Sequence, residues 1–529
     1  MQITHRTQDD GREYPAPGAA AAVCAPAAAA TGPVEVELKL AVPESAREAL
    51  QERLRSYGAA RDLQMDSVYF DTRGRTLASQ RAALRVRRVD SGAGAGWVQT
   101  LKTGSTSTAL TRRGEWEVPV AGARLAPSKL AASPLRELLG KSAARLAPVF
   151  RTSFHRSLFE VRTGGALIEL AFDQGHVLAG RRREAICELE LEVRGGAPAA
   201  VYKLALALMG RGREALALMP SVESKAARGY RLADREAPAP LFAGAEGFIA
   251  VLEPDMDCAT AARRIVEHGV NLVLANLAGS AAGDDLEFVH QSRVALRRTR
   301  SALRLFEVAR GAGDPVARNL RWMAQRYGQL RDWDVMVTQW LPALARAIEL
   351  AEHDDWARLM QRAECQRAQR RRRLSEALSS PRFARAALCL LQWAQSAPAP
   401  GASLQALAPA ALGRGHRRLL AAGRGLPDLP APDMHRLRIL AKRQRYALEL
   451  LSPMVGRSAP ARTLKQLSRL QQTLGEANDF QVLREVIPSL TSSGEILERT
   501  ERWARRKLRN RRPEAAMLLQ RLQRQGYKR

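Results

Sequence analysis

The sequence predicts an α+β multidomain protein with two dissimilar halves, and three observations carry that expectation. Alternation of apolar and polar residues, the period of a half-buried strand, begins at 34–40 and recurs at 83–89, 97–102, 114–120, 153–161, 166–173 and 186–193. From about residue 248 it gives way to Leu and Ala at three- and four-residue spacing with Arg on the other faces, the period of amphipathic helices. Between the two lies 233–247, rich in Ala, Pro and Gly, as a linker should be. The first half is an antiparallel sheet or barrel and the second is all-α. The Gly-rich stretch 91–96 lies between two strand-like runs with no helical start behind it, and reads as a hairpin loop rather than a phosphate cradle.

A chain of 529 residues is too long for one ordinary core, so two domains are expected. Lys and Arg number 83 against 54 Asp and Glu, a formal charge of +29, and a net +21 of it falls in 248–529. Such an excess calls for a polyanionic partner: nucleic acid, an anionic membrane surface or condensed phosphate. No apolar run approaches the roughly 18 to 20 residues of a membrane-spanning helix. No zinc-finger spacing or basic–aromatic RNA motif is found, which disfavours nucleic acid as a specific partner. The five scattered cysteines form no CxxC pair, which suits a reducing cytoplasm. Residues 15–31 are Ala- and Pro-rich, but Asp9, Asp10 and Glu13 precede them where a secretory signal has basic residues. Residues 1–32 are accordingly expected to be a disordered leader.

Along a strand, a period of two sends alternate side chains to opposite faces. Glu35, Glu37 and Lys39 therefore share one face while Val36 and Leu38 share the other. The same segregation recurs for Arg85 and Arg87, Lys102, Arg113 with Glu115 and Glu117, Arg156, Glu169 with Asp173, and Glu188 with Glu190 and Glu192. A solvated sheet face also carries charge, but it usually intersperses signs, whereas here an acidic triplet and an arginine pair each keep to one strand. Like charges at neighbouring positions repel unless counter-charge comes from outside. Divalent metal would satisfy the carboxylates, and phosphate oxygens the Arg and Lys.

The helical half contains a repeat. His290-x-x-Arg293-Val294-x-x-Arg297-Arg298-x-Arg300 matches His435-x-x-Arg438-Ile439-x-x-Lys442-Arg443-x-Arg445, and each is followed by a related segment, 328–335 and 475–482. At 100° per residue, His290, Arg293, Arg297 and Arg300 fall on one helical face, as do His435, Arg438, Lys442 and Arg445. A stripe without interspersed carboxylates binds an anion or repels itself, and the arginine fork fits phosphate oxygens. The second copy has Lys442 in place of Arg, and Asn478 where the first has Arg331. One His per stripe makes a poor metal site.

Glu35-x-Glu37-x-Lys39, Tyr69-Phe70-Asp71-Thr72, Leu84-Arg85-Val86-Arg87, Gln99-Thr100-Leu101-Lys102, Glu115-Trp116-Glu117, Glu188-x-Glu190-x-Glu192 and Ser224-Lys225-Ala226-Ala227-Arg228-Gly229-Tyr230 occur in the order seen in the CYTH domain of the triphosphate tunnel metalloenzymes. Residues 33–232 resemble that family, and 248–529, with repeats at about 248–395 and 405–529, resemble the CHAD domain, a helical module associated with polyphosphate. The resemblance implies a closed antiparallel β tunnel with flanking helices, followed by two repeated helical bundles. It further implies Mg²⁺- or Mn²⁺-dependent hydrolysis of inorganic triphosphate, with water attacking the terminal phosphoryl group in line. Glu35, Glu37, Glu188 and Glu190 become the expected metal ligands. Lys39, Arg85, Arg87, Lys102, Arg113, Arg156 and Lys225 become phosphate contacts, with Arg112 and Arg151 as alternatives to Arg113 and Arg156, and Lys39, Lys102, Glu115 and Glu117 are expected to take part in catalysis. In the helical domain the two basic stripes become a polyphosphate site, with polyphosphate granules as an expected association. Two alternatives stand beside this reading: a non-catalytic polyphosphate-binding protein, and a tunnel enzyme for nucleotides or thiamine triphosphate, including the adenylate cyclase type.

Overall fold

The computed structural model describes residues 34–525 apart from 105–107, 141–144, 284, 309–310, 312, 350–352, 398–400 and 456–460. The expected leader lies outside them. Among the described residues, no helix is long and apolar enough to cross a membrane.

Eight antiparallel strands make the first domain: β1 (Val34–Ala41), β2 (Arg61–Asp71), β3 (Ala83–Asp90), β4 (Ala95–Thr103), β5 (Leu110–Val120), β6 (Ala147–Thr163), β7 (Ala166–Ala179) and β8 (Arg182–Gly195), with a two-residue β9 (Met219–Pro220) on the end of β1. They run in the order β5-β4-β3-β2-β6-β7-β8-β1, and β1 also pairs with β5, which closes the barrel. The closing register sets Glu35 opposite Arg113 and Glu37 opposite Thr111. On its other side β1 sets Lys39 opposite Glu190. The Gly-rich stretch is the β3–β4 hairpin, where the Ser91 N–H donates to the Gly94 carbonyl at 3.2 Å.

The barrel is inverted relative to a soluble sheet that turns its greasy face to the middle. Leu38, Leu40, Leu110, Ile168, Leu170, Leu189 and Leu191 point outward and are fully or almost fully buried. They pack under the helix Ala200–Met209, and one continuous apolar core carries on from there into Ile265, Val266, Val270 and Leu388 of the helical half. Polar contacts fasten the same joint: the Ala109 N–H donates to Asn271 Oδ1 at 3.0 Å, and Arg385 reaches the Gly210 carbonyl. The segment read as a linker is tied down too, because the Asn276 side chain accepts from the Leu241 N–H at 2.8 Å and returns a bond to its carbonyl at 2.9 Å.

The second half is helical throughout. Each basic motif lies on one helix, Leu286–Leu305 and Ala431–Leu451, and each following segment on the next, Pro315–Val335 and Ala461–Leu490. Asp257, Asp285 and Asp314 each cap a helix by accepting from backbone N–H groups of its first turn. Arg298 joins the two motif helices through Glu449 at 2.9 Å.

One mouth of the barrel is covered by the helix Lys225–Asp234. It seats Ala226 and Tyr230 on an apolar floor that includes Tyr69, Phe150, Phe154, Val177 and Ile186, and Arg75 grips its end through Asp234. Gly229 makes the close approach possible, since a Cβ there would overlap the Phe150 ring. Gly229→Ala is therefore expected to lower stability by about 1–3 kcal/mol through overpacking. Thermal unfolding of the two proteins measures it, and an unchanged transition would show that the helix is not seated this way.

Candidate functional site

Side-chain alternation in a closed barrel turns the charged face of each strand into the lumen. Glu37, Lys39, Arg85, Arg87, Arg113, Glu188, Glu190 and Lys225 are each at most 9% exposed, and Asp173 is fully buried. Arg112 and Arg151 are exposed on the outer face, so the lumen takes Arg113 and Arg156. Glu37, Lys39, Arg85, Arg87, Arg113, Arg156, Glu190 and Lys225 line a cavity of about 1330 Å³.

Two groupings meet at the lumen. In the first, the carboxylate oxygens of Asp173, Glu188 and Glu190 lie within 4.8 Å of one another. Lys225 Nζ stands among them, 2.6 Å from Asp173 and 3.0 Å from Glu190, and it also contacts Glu188. Lys39 joins Glu190, while Arg156 reaches Asp173 and Glu190 at 2.6 Å each. Burial pushes the Glu190 carboxyl up, but Lys225, Lys39 and Arg156 outweigh it and hold the group well below its ordinary range. Burial alone would discharge Lys39, yet Glu190, Glu37 and Glu188 hold its ammonium firmly protonated.

The second grouping lies toward the β1–β5 seam. Arg113 bonds Glu35 at 2.7 Å and Glu37 at 2.6 Å. Lys102 bridges Glu35 at 2.8 Å and Glu115 at 3.1 Å. Glu117 accepts from the Thr100 hydroxyl at 3.1 Å. Opposite these, the described ion pairs give Arg85 only a long contact to Glu115, at 3.8 Å, and Arg87 donates to the Ser67 hydroxyl at 3.0 Å. Burial, then Arg85 beside it, brings Arg87 down to about 9. These are the cations least neutralised from within and so the readiest for an anion.

Of the four expected metal ligands, Glu188 and Glu190 sit with Asp173, whereas Glu35 and Glu37 are engaged by Arg113 and Lys102. Three hard oxygen donors this close could hold a divalent cation by donor type, in place of the Lys225 ammonium that stands among them. Two features lay beyond the motif reading. Asp173 belongs with the acidic trio because its register opposes Arg156 on β6 and Glu188 on β8. Phe154 receives Lys225, Arg156 and Arg87 over its ring at 5.1, 5.6 and 5.7 Å, an aromatic face set beneath three cations.

In the helical domain the two stripes converge in part. Burial and then the charges of Arg438, Arg297 and Arg293 bring the Lys442 ammonium down to about 7. His290 is held below its ordinary value by burial and by Arg331. In the second copy His435 instead shares a 2.9 Å hydrogen bond with Asn478, the residue that replaces Arg331. Arg300 parts from the cluster and faces Arg304, Arg321 and Arg443, whereas Arg445 shares the Tyr446 ring with Arg297 and pairs with Glu449 at 3.1 Å and Gln471 at 3.0 Å. Carboxylates the stripes lack come from the following helices, with Asp332 at 3.2 Å from Arg293.

Residues 34–230 match the CYTH domain family, and residues 264–488 match the CHAD domain family. The inorganic triphosphatase of Haemophilus influenzae is 30% identical over 165 residues, 31% of this chain and 46% of the relative, so the match spans under half of that protein. Among solved structures, the CHAD domain from the plant Ricinus communis is 26% identical, covering 54% of this chain and 97% of its own, with a TM-score of 0.46. A Hippeastrum protein described as having a dominant triphosphatase activity is 22% identical, covering 37% and 95%, with a TM-score of 0.28.

Lys442 supplies a test of the convergent cluster. Its folded pKa lies below the ordinary 10.5, so the cost of its charge is complete below about pH 7, shrinks as pH rises and vanishes above 10.5. Lys442→Met should unfold at a higher temperature than the parent at pH 7, with the gap closing as pH is raised. A gap independent of pH would refute the crowding of cations around this side chain.

Proposed function

We propose that this chain, a CYTH domain joined to a CHAD domain, hydrolyses inorganic triphosphate in the barrel lumen and holds polyphosphate on the basic face of its helical domain. The observation that carries the reading is the pairing, within one barrel, of a carboxylate trio with two weakly paired arginines, Arg85 and Arg87. A triphosphate complexed with a divalent cation presents the same two charges to them. The family match over 34–230 and the triphosphatase relative support it.

Asp173, Glu188 and Glu190 would hold the ion, with Glu35 and Glu37 close by at the seam. Mg²⁺ or Mn²⁺ bound there polarises phosphoryl oxygens and lowers the pKa of coordinated water. The remaining work belongs to the chain. Arg85, Arg87, Lys102, Arg113 and Arg156 fix the phosphate oxygens in a water-poor lumen, where preorganised cations act strongly. Water attacks the terminal phosphorus as the bridging P–O bond breaks, and pyrophosphate leaves with its added charge met by Lys39, Lys102 and Lys225. Glu115 and Glu117, tied to Lys102 and Thr100, keep the seam-side donors aimed. No side-chain nucleophile is needed.

On the helical domain, His290, Arg293, Arg297, His435, Arg438 and Lys442 would grip a phosphate chain, with Arg300 and Arg445 extending the grip from the flanks. Granule association would follow from that grip.

Offered tripolyphosphate, ATP and thiamine triphosphate with Mg²⁺ or Mn²⁺, the protein should release phosphate preferentially from tripolyphosphate. Glu35→Ala/Glu37→Ala and, separately, Asp173→Asn should each cost about 100-fold or more in rate. Turnover that survives in all three substitutions would sink the assignment. For the second domain, Arg293→Ala/Arg438→Ala should weaken retention of long-chain polyphosphate and flatten its salt dependence by about one unit of slope per lost contact. Unaltered retention would remove this face from the binding site.

A further inference from the structure

The helix Gly494–Gln525 carries charge that neither the barrel nor the two basic stripes use, and it lies beyond residue 488, where the CHAD match ends. Trp503, Ala504, Ala515, Leu518 and Leu522 bury one side of it. The helix Ala461–Leu490 runs back along it, since Arg484 pairs with Glu501 at 2.6 Å and Glu476 with Arg511 at 2.6 Å. At about 100° per residue, Arg502, Arg505, Arg506 and Arg509 fall within an arc of about 100° on the side away from the buried residues. All four are exposed. Lys507 and Arg511 fall outside that arc.

The first turns of this helix neutralise themselves and the later ones do not. Arg499 pairs with Glu495 at 2.6 Å, Arg502 with Glu498, and Arg505 with Glu501 at 2.5 Å, each one turn apart. Exposed pairs of this kind contribute at most about 1 kcal/mol, so they yield to a stronger anion. None of the described ion pairs involves Arg506 or Arg509. From Arg502 to Arg524 nine Arg and Lys meet a single carboxylate, Glu514, and Arg511 takes that one at 2.7 Å. Arg502 with Arg506, and Arg505 with Arg509, set like charges one turn apart, which is destabilising unless an outside anion meets them.

Shape and residue type choose among the anions. The exposed side of a helix is convex, and Arg505 and Arg506 flank it with Arg502 and Arg509 between them. A single phosphate chain touches one flank at a time and is better held where cations converge from several helices, as around Arg293 and Arg438. A duplex instead presents two rows of phosphates bordering a groove, about 12 Å across in B-DNA and matched to the roughly 10–12 Å of a helix. Asn510, Gln520 and Gln523 are exposed on the same helix, and guanidinium with amide is a set that bonds phosphates and groove edges. Stacking on single strands needs exposed rings, and Trp503, the aromatic of this helix, is buried. Insertion into a bilayer needs an apolar face, and Met517 is the one exposed large apolar side chain here.

We propose that this helix face is a docking surface for double-stranded nucleic acid, held through its phosphates without regard to sequence. The proposal stands apart from the triphosphatase reading and from the polyphosphate site. A molecule that takes both polyanions holds them through separate sets of cations.

The test follows binding of the full-length protein to a mixed-sequence DNA duplex of about 20 base pairs as salt is raised; four phosphate contacts cost about 100-fold in affinity between about 50 and 200 mM. Arg506→Ala/Arg509→Ala should flatten the salt slope by about two units and weaken binding at about 50 mM salt tenfold or more. Arg506→Lys/Arg509→Lys should keep the slope, and thermal unfolding checks that each variant is folded. Arg293→Ala/Arg438→Ala should leave duplex binding as it is. Three results overturn the proposal: no duplex binding at low salt, a slope indifferent to the loss of Arg506 and Arg509 in folded protein, or duplex released by Arg293→Ala/Arg438→Ala instead. Dependence on Arg506 and Arg509 seen only with vesicles rich in phosphatidylglycerol, or only with long-chain polyphosphate, also overturns it and assigns the face to that anion.

Discussion

Everything in the barrel depends on charge balance inside a closed wall. A single buried ion left unpaired costs several kcal/mol, so acidic and basic strands can line one lumen only if each sign is met by the other. Lys39 and Lys225 against Glu188 and Glu190, and Arg113 against Glu35 and Glu37, meet that demand without any ligand. The same pairs define what can enter. A cation that takes over the carboxylates frees ammonium groups, and an anion that takes over the ammonium groups frees carboxylates. A metal bound to phosphate supplies both exchanges at once and leaves the lumen as balanced as it was.

The helical domain solves the opposite problem. Its basic cluster is compensated thinly, by carboxylates such as Asp332 and Asp479 reaching in from neighbouring helices, and it pays for this in depressed pKa values such as that of Lys442. Several like charges gathered this way are best borne near solvent, where counterions can attend them and be released when a polyanion arrives. The barrel thus encloses its phosphate chemistry, whereas the helices display theirs.

Much of this was legible in the sequence, because period-two alternation with charge on one face dictates which side chains share a surface. That rule places Glu35, Glu37, Lys39, Arg85, Arg87, Lys102 and Arg113 together once the wall closes. It could not say which carboxylates lie nearest each other, since that depends on register between β6, β7 and β8, and so Asp173 went unassigned. Phe154 escaped for a related reason: an aromatic on an alternating strand carries no sign of the cations that other strands bring over it. Helical periodicity likewise put Arg300 and Arg445 on the basic stripes and sets Glu449 one turn beyond Arg445 on the same helix, but a stripe on one helix says nothing of Gln471, which another helix brings beside Arg445. Phe288 and Ala278 of the helical half, which also line the barrel's cavity, had no local signal at all, being a matter of how one domain sits on another.

The apolar core that runs without a break from the outer face of the strands into the second domain also governs how the molecule comes apart. Leu38 and Leu189 of the barrel share it with Val266 and Leu388 of the helices, so neither half can expose its own side without stripping the other. Such a joint behaves as a weld rather than a hinge. Heating or denaturant should therefore strip the barrel's outer wall and the helices seated on it together, rather than letting the two domains swing apart first.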